Sequence, residues 1–177
     1  MVVTLLLAAA LAEHGSALPL PPSVVTAAGR QQAAAPYNPP MTQPFAPLPD
    51  DLVPLADRAL ARLAVALGTA PDPGLQPFLR QLAVASDFAI DTLCRQPALL
   101  SHLAQDGCPP LAPPVLEPQQ PADWPGLLRR YRAAMSTRLV WRDLAGMDSV
   151  QQTLAGSTGL AEQCLQLALG ALEIEFA

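Results

Sequence analysis

The side chains able to do chemistry are few: three cysteines, two histidines, ten arginines, fifteen carboxylates and no lysine in 177 residues. Their spacing limits them further. Cys94, Cys108 and Cys164 are an odd set, too far apart for a disulfide framework or for a zinc site built on close pairs. Cys94 and Cys164 fall among apolar helical positions and are expected to be buried thiols in a reducing compartment. Only His14 and His102 can supply an imidazole, and His14 falls in a tail-like segment, so a histidine metal site or triad has little support. Two-metal phosphoryl chemistry needs carboxylates close enough to share Mg²⁺. Glu173 and Glu175 diverge at i,i+2 on a helix, and Asp50-Asp51 reads first as a capping pair. The absence of lysine excludes a phosphate-loop Lys, a Schiff base and a Ser-Lys pair. There is no glycine-rich phosphate loop, Cys-x-x-Cys, His-Glu-x-x-His or nucleophile elbow. The residues by themselves assign no catalytic, cofactor-binding or metal-binding position.

One charge stands apart. The run Leu127–Met147, LLRRYRAAMSTRLVWRDLAGM, holds five of the ten arginines, one of two tryptophans and one of two tyrosines. Nothing in it breaks a helix before Gly146. At 100° per residue, Leu128, Tyr131, Met135 and Leu139 form a narrow apolar stripe. Arg138 sits on its edge and Arg142 projects into it, whereas Arg129, Arg130 and Arg132 point toward solvent. A buried guanidinium costs several kcal/mol unless paired. Arg142 therefore needs either an Asp or Glu from a neighbouring helix, or an anion at a cleft.

The elements that position this helix follow from apolar periodicity and caps. Asp50 is expected to cap a helix with Leu52, Leu55, Ala56, Ala59, Leu60, Leu63 and Leu67 on one face, closed by Gly68. Asp72-Pro73 is expected to start the next, with Leu75, Phe78, Leu79 and Leu82 inward. Ser86-Asp87 punctuates it, and Phe88, Ile90 and Leu93 carry the pattern on. Asp91 and Arg95 form an i,i+4 pair. Pro97 opens a short helix with Leu99, Leu100 and Leu103 inward, ended by Gly107. Cys108–Ala122 is a proline-rich surface excursion. The long helix starts near Asp123, with Pro125 in its first turn. Asp148, with Gln151 as capping-box partner, starts the last helix, whose apolar face is Val150, Leu154, Ala161, Leu165, Ala168 and Leu172. Gly156 and Gly159 cost helix stability unless they admit a neighbouring helix.

Of 21 prolines, nine precede Asp50 and seven fall between Pro109 and Pro125, which confines the packable chain to roughly 50–107 and 123–176. Residues 1–49 read as an apolar start followed by a disordered Pro/Ala-rich arm, and 50–177 as helical. The fold class is all-α, a bundle of about five helices. Met1–Ala12 is apolar but too short to span a bilayer, and no Lys or Arg precedes it as in a secretory signal. It reads first as a short helix or an upstream translation artefact, with a secretory signal cleaved near Gly15-Ser16-Ala17 as the weaker alternative. A net charge of −5 without a basic run gives no nucleic-acid footprint. Neither nucleic acid nor membrane is expected as a partner, and the location is expected to be cytoplasmic.

Two runs carry a family resemblance. Leu128–Leu169, with Trp141-Arg142-Asp143-Leu144 preceded by Arg132 and Met135 and followed by Gly146, resembles the N-terminal helical region of the bifunctional glutamine synthetase adenylyltransferase/adenylyl-removing enzymes. Phe78–Leu103, with Ser86-Asp87-Phe88 and Arg95-Gln96-Pro97, is similar to the segment before it. The resemblance covers about a hundred residues. It implies that 50–177 is an incomplete N-terminal part of an adenylyl-removing nucleotidyltransferase domain. The activity implied is AMP transfer from ATP to a tyrosine of glutamine synthetase, and its phosphorolytic removal, with Mg²⁺ and under a PII signal protein. The family's catalytic motif is a glycine-rich, lysine-containing turn followed by Ser-Asp-x-Asp. It has no counterpart in these residues, so no catalytic position is carried over. The chain reaches Ala177 without a capping signal, as a piece of such an enzyme would, and that piece is expected to be inactive alone. The alternative is a non-enzymatic α-helical interaction module.

Overall fold

The computed structural model describes residues 46–175. The expectations for the apolar start, for His14 and for the arm up to residue 45 lie outside these residues. Among the described residues the chain is all-helical, with six α-helices and one 3₁₀ turn and no strand. The helices are α1 (Val53–Leu67), α2 (Gln76–Ala85), α3 (Asp87–Arg95), α4 (Ala98–Leu103), α5 (Trp124–Leu144) and α6 (Val150–Glu175), with the 3₁₀ turn Pro121–Asp123 leading into α5. The sixth helix arises because Ser86 breaks one expected helix into two. Its backbone is extended, and its hydroxyl accepts from the Ala89 amide at 3.2 Å, capping α3.

The helix starts differ from the sequence reading in a consistent way. Asp50 does not cap α1; Leu52 occupies that position with no side-chain bond, and proline in the first turn serves in its place. Asp72 folds back on the Gly74 amide at 2.6 Å, and the helix begins three to four residues later, again with proline at its start. Asp148 does not cap α6 either. The capping box is shifted by one: Ser149 Oγ accepts from the Gln152 amide and Gln152 Oε1 from the Ser149 amide. At the other ends the reading holds. Gly68 (φ +72°) and Gly146 (φ +68°) take the left-handed turn that a side chain would strain. After α5, the Met147 amide reaches Arg142 O at 2.8 Å and the Gly146 amide reaches Asp143 O at 3.1 Å, the paired bonds of a Schellman end. The short helix α4 ends at Leu103, short of Gly107.

α1 packs on α2 and α3; α3 packs on α5, α4 bridges α3 and α5, and α6 lies along α5. The core of the first group is made by Leu63, Phe78, Leu79, Leu82, Ile90 and Leu93, all at most 2% exposed. Two expected core residues, Leu55 and Phe88, stay at the surface instead.

α5 is the centre, but not through one stripe. Tyr131 and Leu139 form the expected face and meet Leu160 on α6, with Met135, Cys164 and Leu167 packed around them. A second face about 130° round the helix, Ala134, Thr137 and Trp141, is as fully buried. Trp141 is wholly enclosed, its ring 4.4 Å from that of Phe78. The stripe missed this face because tryptophan, threonine and alanine make a weak periodic signal beside arginines.

α6 turns the other way from expectation. Thr153, Gly156, Leu160, Cys164, Leu167 and Ala171 make its inner side, while Val150, Leu154, Leu165 and Leu172 of the expected face are exposed. Gly156 decides this. A Cβ there would come within 2.7 Å of Leu139 Cδ2, so the Leu139 side chain packs into the space a side chain at 156 would take. Gly159 has open space around it. Gly159→Ala is therefore expected to raise stability by about 1 kcal/mol, the helix-propensity difference, with Gly156→Ala gaining clearly less because Leu139 must move. Urea titration of both variants measures the contrast; equal gains would contradict the close approach.

Candidate functional site

The polar groups of the helical core converge on the turn after α4. Gly107 (φ +73°) and Cys108 (φ +46°) are successive left-handed residues, and the second is unusual for a residue with a side chain. Such a conformation costs on the order of 1 kcal/mol and persists only where its surroundings enforce it. Two arginines one turn apart on α5 do so. Arg138 Nε donates to Cys108 O at 2.8 Å and Pro109 O at 2.9 Å, and Arg142 Nη1 donates to Gly107 O at 2.7 Å. His102, with its proton on Nε2, donates to Pro109 O at 3.1 Å. His102 is thus part of the turn's support.

Arg142 meets its expected need for an anion, though from an unexpected place. Its Nε and Nη2 donate to Asp148 Oδ2 and Oδ1, each at 2.7 Å, in a bidentate fork. Asp148 lies in the connection between α5 and α6, not on a neighbouring helix. The side chains are 20% and 10% exposed, so the pair is well removed from solvent. This engagement is why Asp148 leaves the capping of α6 to Ser149. The hydrogen bonds that Arg142 donates to Asp148 hold its proton more firmly than usual, outweighing the opposite effect of burial. Arg138 is shifted the other way by burial and remains a cation in any case.

The neighbours of Arg142 are equally committed. Trp141 fills the α2–α5 contact, and Asp143 Oδ1 accepts from the buried Thr153 hydroxyl of α6 at 3.3 Å. Trp141, Arg142 and Asp143 thus point to three different parts of the fold from consecutive positions. Tyr131 adds a second tie to α6, donating to Gln163 Oε1 at 2.8 Å.

Cys108 is the thiol that burial encloses completely, whereas Cys94 and Cys164, expected to be buried, are only partly so. Cys108 was not singled out in sequence because it follows a glycine and precedes prolines rather than sitting in an apolar period. Two arginines beside a thiol would normally activate it. Here burial pushes the thiol upward by more than Arg138 and Arg142 lower it, so it stays protonated and inert at neutral pH. Among the described residues no three His, Cys, Asp or Glu side chains are grouped to hold a metal ion. A shallow cleft of about 220 Å³ lies between the 46–48 segment and Val53, Pro77 and Arg80. Its one cation, Arg80, is paired with Asp57 at 2.6 Å. What the convergent residues can do is hold a turn, two helix ends and a helix pair in register.

Fold and clamp together define a helical scaffold segment in which arginines tie loops to a central helix. The sequence comparisons place it beside known proteins. The chain is 67% identical over 138 residues to the bifunctional glutamine synthetase adenylyltransferase/adenylyl-removing enzyme of Stenotrophomonas maltophilia (strain K279a), a match covering 77% of this chain and 15% of that protein. It is 57% identical over 139 residues to the enzyme of the same name from Xanthomonas campestris pv. campestris (strain B100), and 33% identical over 146 residues to that of Pseudomonas aeruginosa. The chain spans about 15% of the length of the curated relatives it matches. No family profile and no solved structure matches it. The family resemblance read from the sequence is thus a likeness to a segment of these enzymes.

Two outcomes test the clamp. Arg142→Met leaves the Asp148 carboxylate and Gly107 O unpaired and is expected to cost about 3 kcal/mol in urea unfolding. Arg142→Lys, which keeps the charge but not the fork, is expected to recover only part of this. The pH dependence follows from the burial of Cys94, Cys108, Cys164 and Tyr131, each shifted upward in the folded chain chiefly by desolvation. A group whose folded value is raised stabilises fully below its unfolded value and loses that contribution as pH rises through the folded one. Thermal stability is therefore expected to fall above the ordinary thiol value of 9.0. Cys108→Ala should flatten part of that fall, read by melts between pH 7 and 10.5.

Proposed function

We propose that this chain serves as a helical scaffold segment of an enzyme that adenylylates and deadenylylates glutamine synthetase. The observation that carries this is the 67% identity over 77% of the chain to a relative bearing that bifunctional name. On this reading the segment supports an adenylyl-removing nucleotidyltransferase domain. The enzyme's other parts move AMP between ATP and a tyrosine of glutamine synthetase in the cytoplasm, under a PII signal protein. In this proposal the segment itself contributes no catalytic, cofactor-binding or metal-binding residue.

On this reading Mg²⁺ and ATP are held by the enzyme's other parts, which agrees with the lack, among the described residues, of three His, Cys, Asp or Glu side chains grouped to hold a metal ion. Four of the described carboxylates are already paired with arginines: Asp87 and Asp91 with Arg62 at 3.3 and 2.6 Å, Asp57 with Arg80, and Asp148 with Arg142. A cation beside these guanidiniums would meet charge already neutralised, so no step of AMP transfer is routed through them.

The exposed α6 residues Leu154, Leu165, Leu169 and Ile174 favour a second reading, an α-helical interaction module without enzymatic activity. One pair of experiments separates the two. The first incubates the purified chain with glutamine synthetase, Mg²⁺ and radiolabelled ATP; no label should reach the synthetase, and label transfer would sink the non-catalytic assignment. The second builds this segment into the Stenotrophomonas enzyme in place of its own. Both activities of that chimera are expected to stay within a few-fold of the parent. A folded but inactive chimera would favour the interaction-module reading.

A further inference from the structure

We infer that a band of exposed arginines across the outer side of α5 docks an acidic segment of a protein partner. The band consists of Arg129, Arg130 and Arg132, with Arg95 at its edge. Helical spacing puts Arg132 next to the α6 contact and Arg129 outermost, while Arg130, exposed one turn before the buried Ala134, lies on the line of the face toward α3. Two contacts fix the edges. Gln96, next to Arg95, donates from Nε2 to Arg130 O at 3.2 Å, which brings the end of α3 to that point. Tyr131, between Arg130 and Arg132, reaches Gln163 on α6. The band therefore crosses the helix from one neighbour to the other.

Among the described residues these arginines and the isolated Arg58 differ from the rest. Arg62, Arg80 and Arg142 are each paired with a carboxylate at 2.6–2.7 Å, and Arg138 is held by carbonyls. Among the described residues no ion pair joins Arg129, Arg130 or Arg132 to any acid, and Arg95 has only Asp91 at 4.0 Å. No acid stands three or four places from any of the three on α5. Glu162, exposed on α6 beside Gln163, is not paired with them either. Arg129 and Arg132 face each other at i,i+3, where like charges cost a few tenths of a kcal/mol. In a chain of net charge −5 this is a local positive surface without internal neutralisation.

Geometry selects the partner's chemistry. The band lies on the convex side of a helix, which suits a surface rather than a small molecule. It spans only about 5 Å along the axis, from Arg129 to Arg132, so it matches a few clustered carboxylates rather than the long charge track of a nucleic acid. Guanidinium forks pair bidentately with Asp and Glu. The inference stands independently of the family reading.

The test uses the full chain and fluorescence anisotropy with labelled poly-L-glutamate, a single-stranded DNA of equal charge, and ATP. Wild type is expected to bind poly-L-glutamate more tightly than DNA or ATP, with affinity falling as salt rises. Arg129→Gln, Arg130→Gln and Arg132→Gln combined are expected to weaken that binding by about tenfold or more. Arg58→Gln, an exposed arginine on α1, should leave it unchanged. Glutamine keeps the helix propensity and most of the stem, and the melt of the triple variant reports its folding. The single Arg129→Gln and Arg130→Gln variants, each weakening binding in part, decide the matter if the triple does not fold. Unchanged binding in these variants, no binding at low salt, or a preference for DNA or ATP would overturn the inference.

Discussion

The fork between Arg142 and Asp148 is the constraint on which the rest of the helical unit depends. Two 2.7 Å bonds in a largely dry setting fix the connection between α5 and α6. The third donor of the same guanidinium reaches Gly107 O and fixes the turn leaving α4. One side chain thus sets where two stretches of chain lie relative to α5. Its desolvation is tolerable only because every donor direction that faces the interior finds an oxygen. Arg138, one turn earlier, extends the same arrangement over Cys108 and Pro109, and so maintains a left-handed cysteine that isolated chain would avoid.

From this follows the division of α5 into two buried faces. The Tyr131–Leu139 side receives α6, and the Trp141 side closes the α1–α3 group. A helix buried on two sides has little room for solvated charge, and what remains is the outer strip that holds Arg129 and Arg132, with Arg130 exposed only because it lies one turn before the buried Ala134. The same geometry explains why Trp141, Arg142 and Asp143 stand in sequence: core, clamp and tie to α6 lie 100° apart around one turn.

The likeness to the adenylyltransferase/adenylyl-removing enzymes concerns 15% of their length, and it includes chains at identities from 67% down to 33%. The polar residues described in this chain hold turns and helix ends. Replacing one partner of a buried fork is costly, whereas surface positions change freely.

Helix locations and the inward residues of α1, α2 and α4 were legible because leucine and phenylalanine recur there at three and four places, and the periodicity of burial follows directly. The need of Arg142 for an anion was legible too, since desolvation cost does not depend on which acid answers it. The identity of that acid was not. Asp148 looked like a helix cap, and only the fold showed that the chain reverses at Gly146 and brings it under the guanidinium, leaving Ser149 to cap. The orientation of α6 was likewise a tertiary decision: its leucines suggested one face, but the absence of a side chain at Gly156 let Leu139 approach there and turned the helix the other way. Sequence determines which residues can be helical and which charges must be answered; the packing of one helix against another decides which face is covered and by whom, because contact distance is a property of two surfaces and neither sequence segment contains it alone.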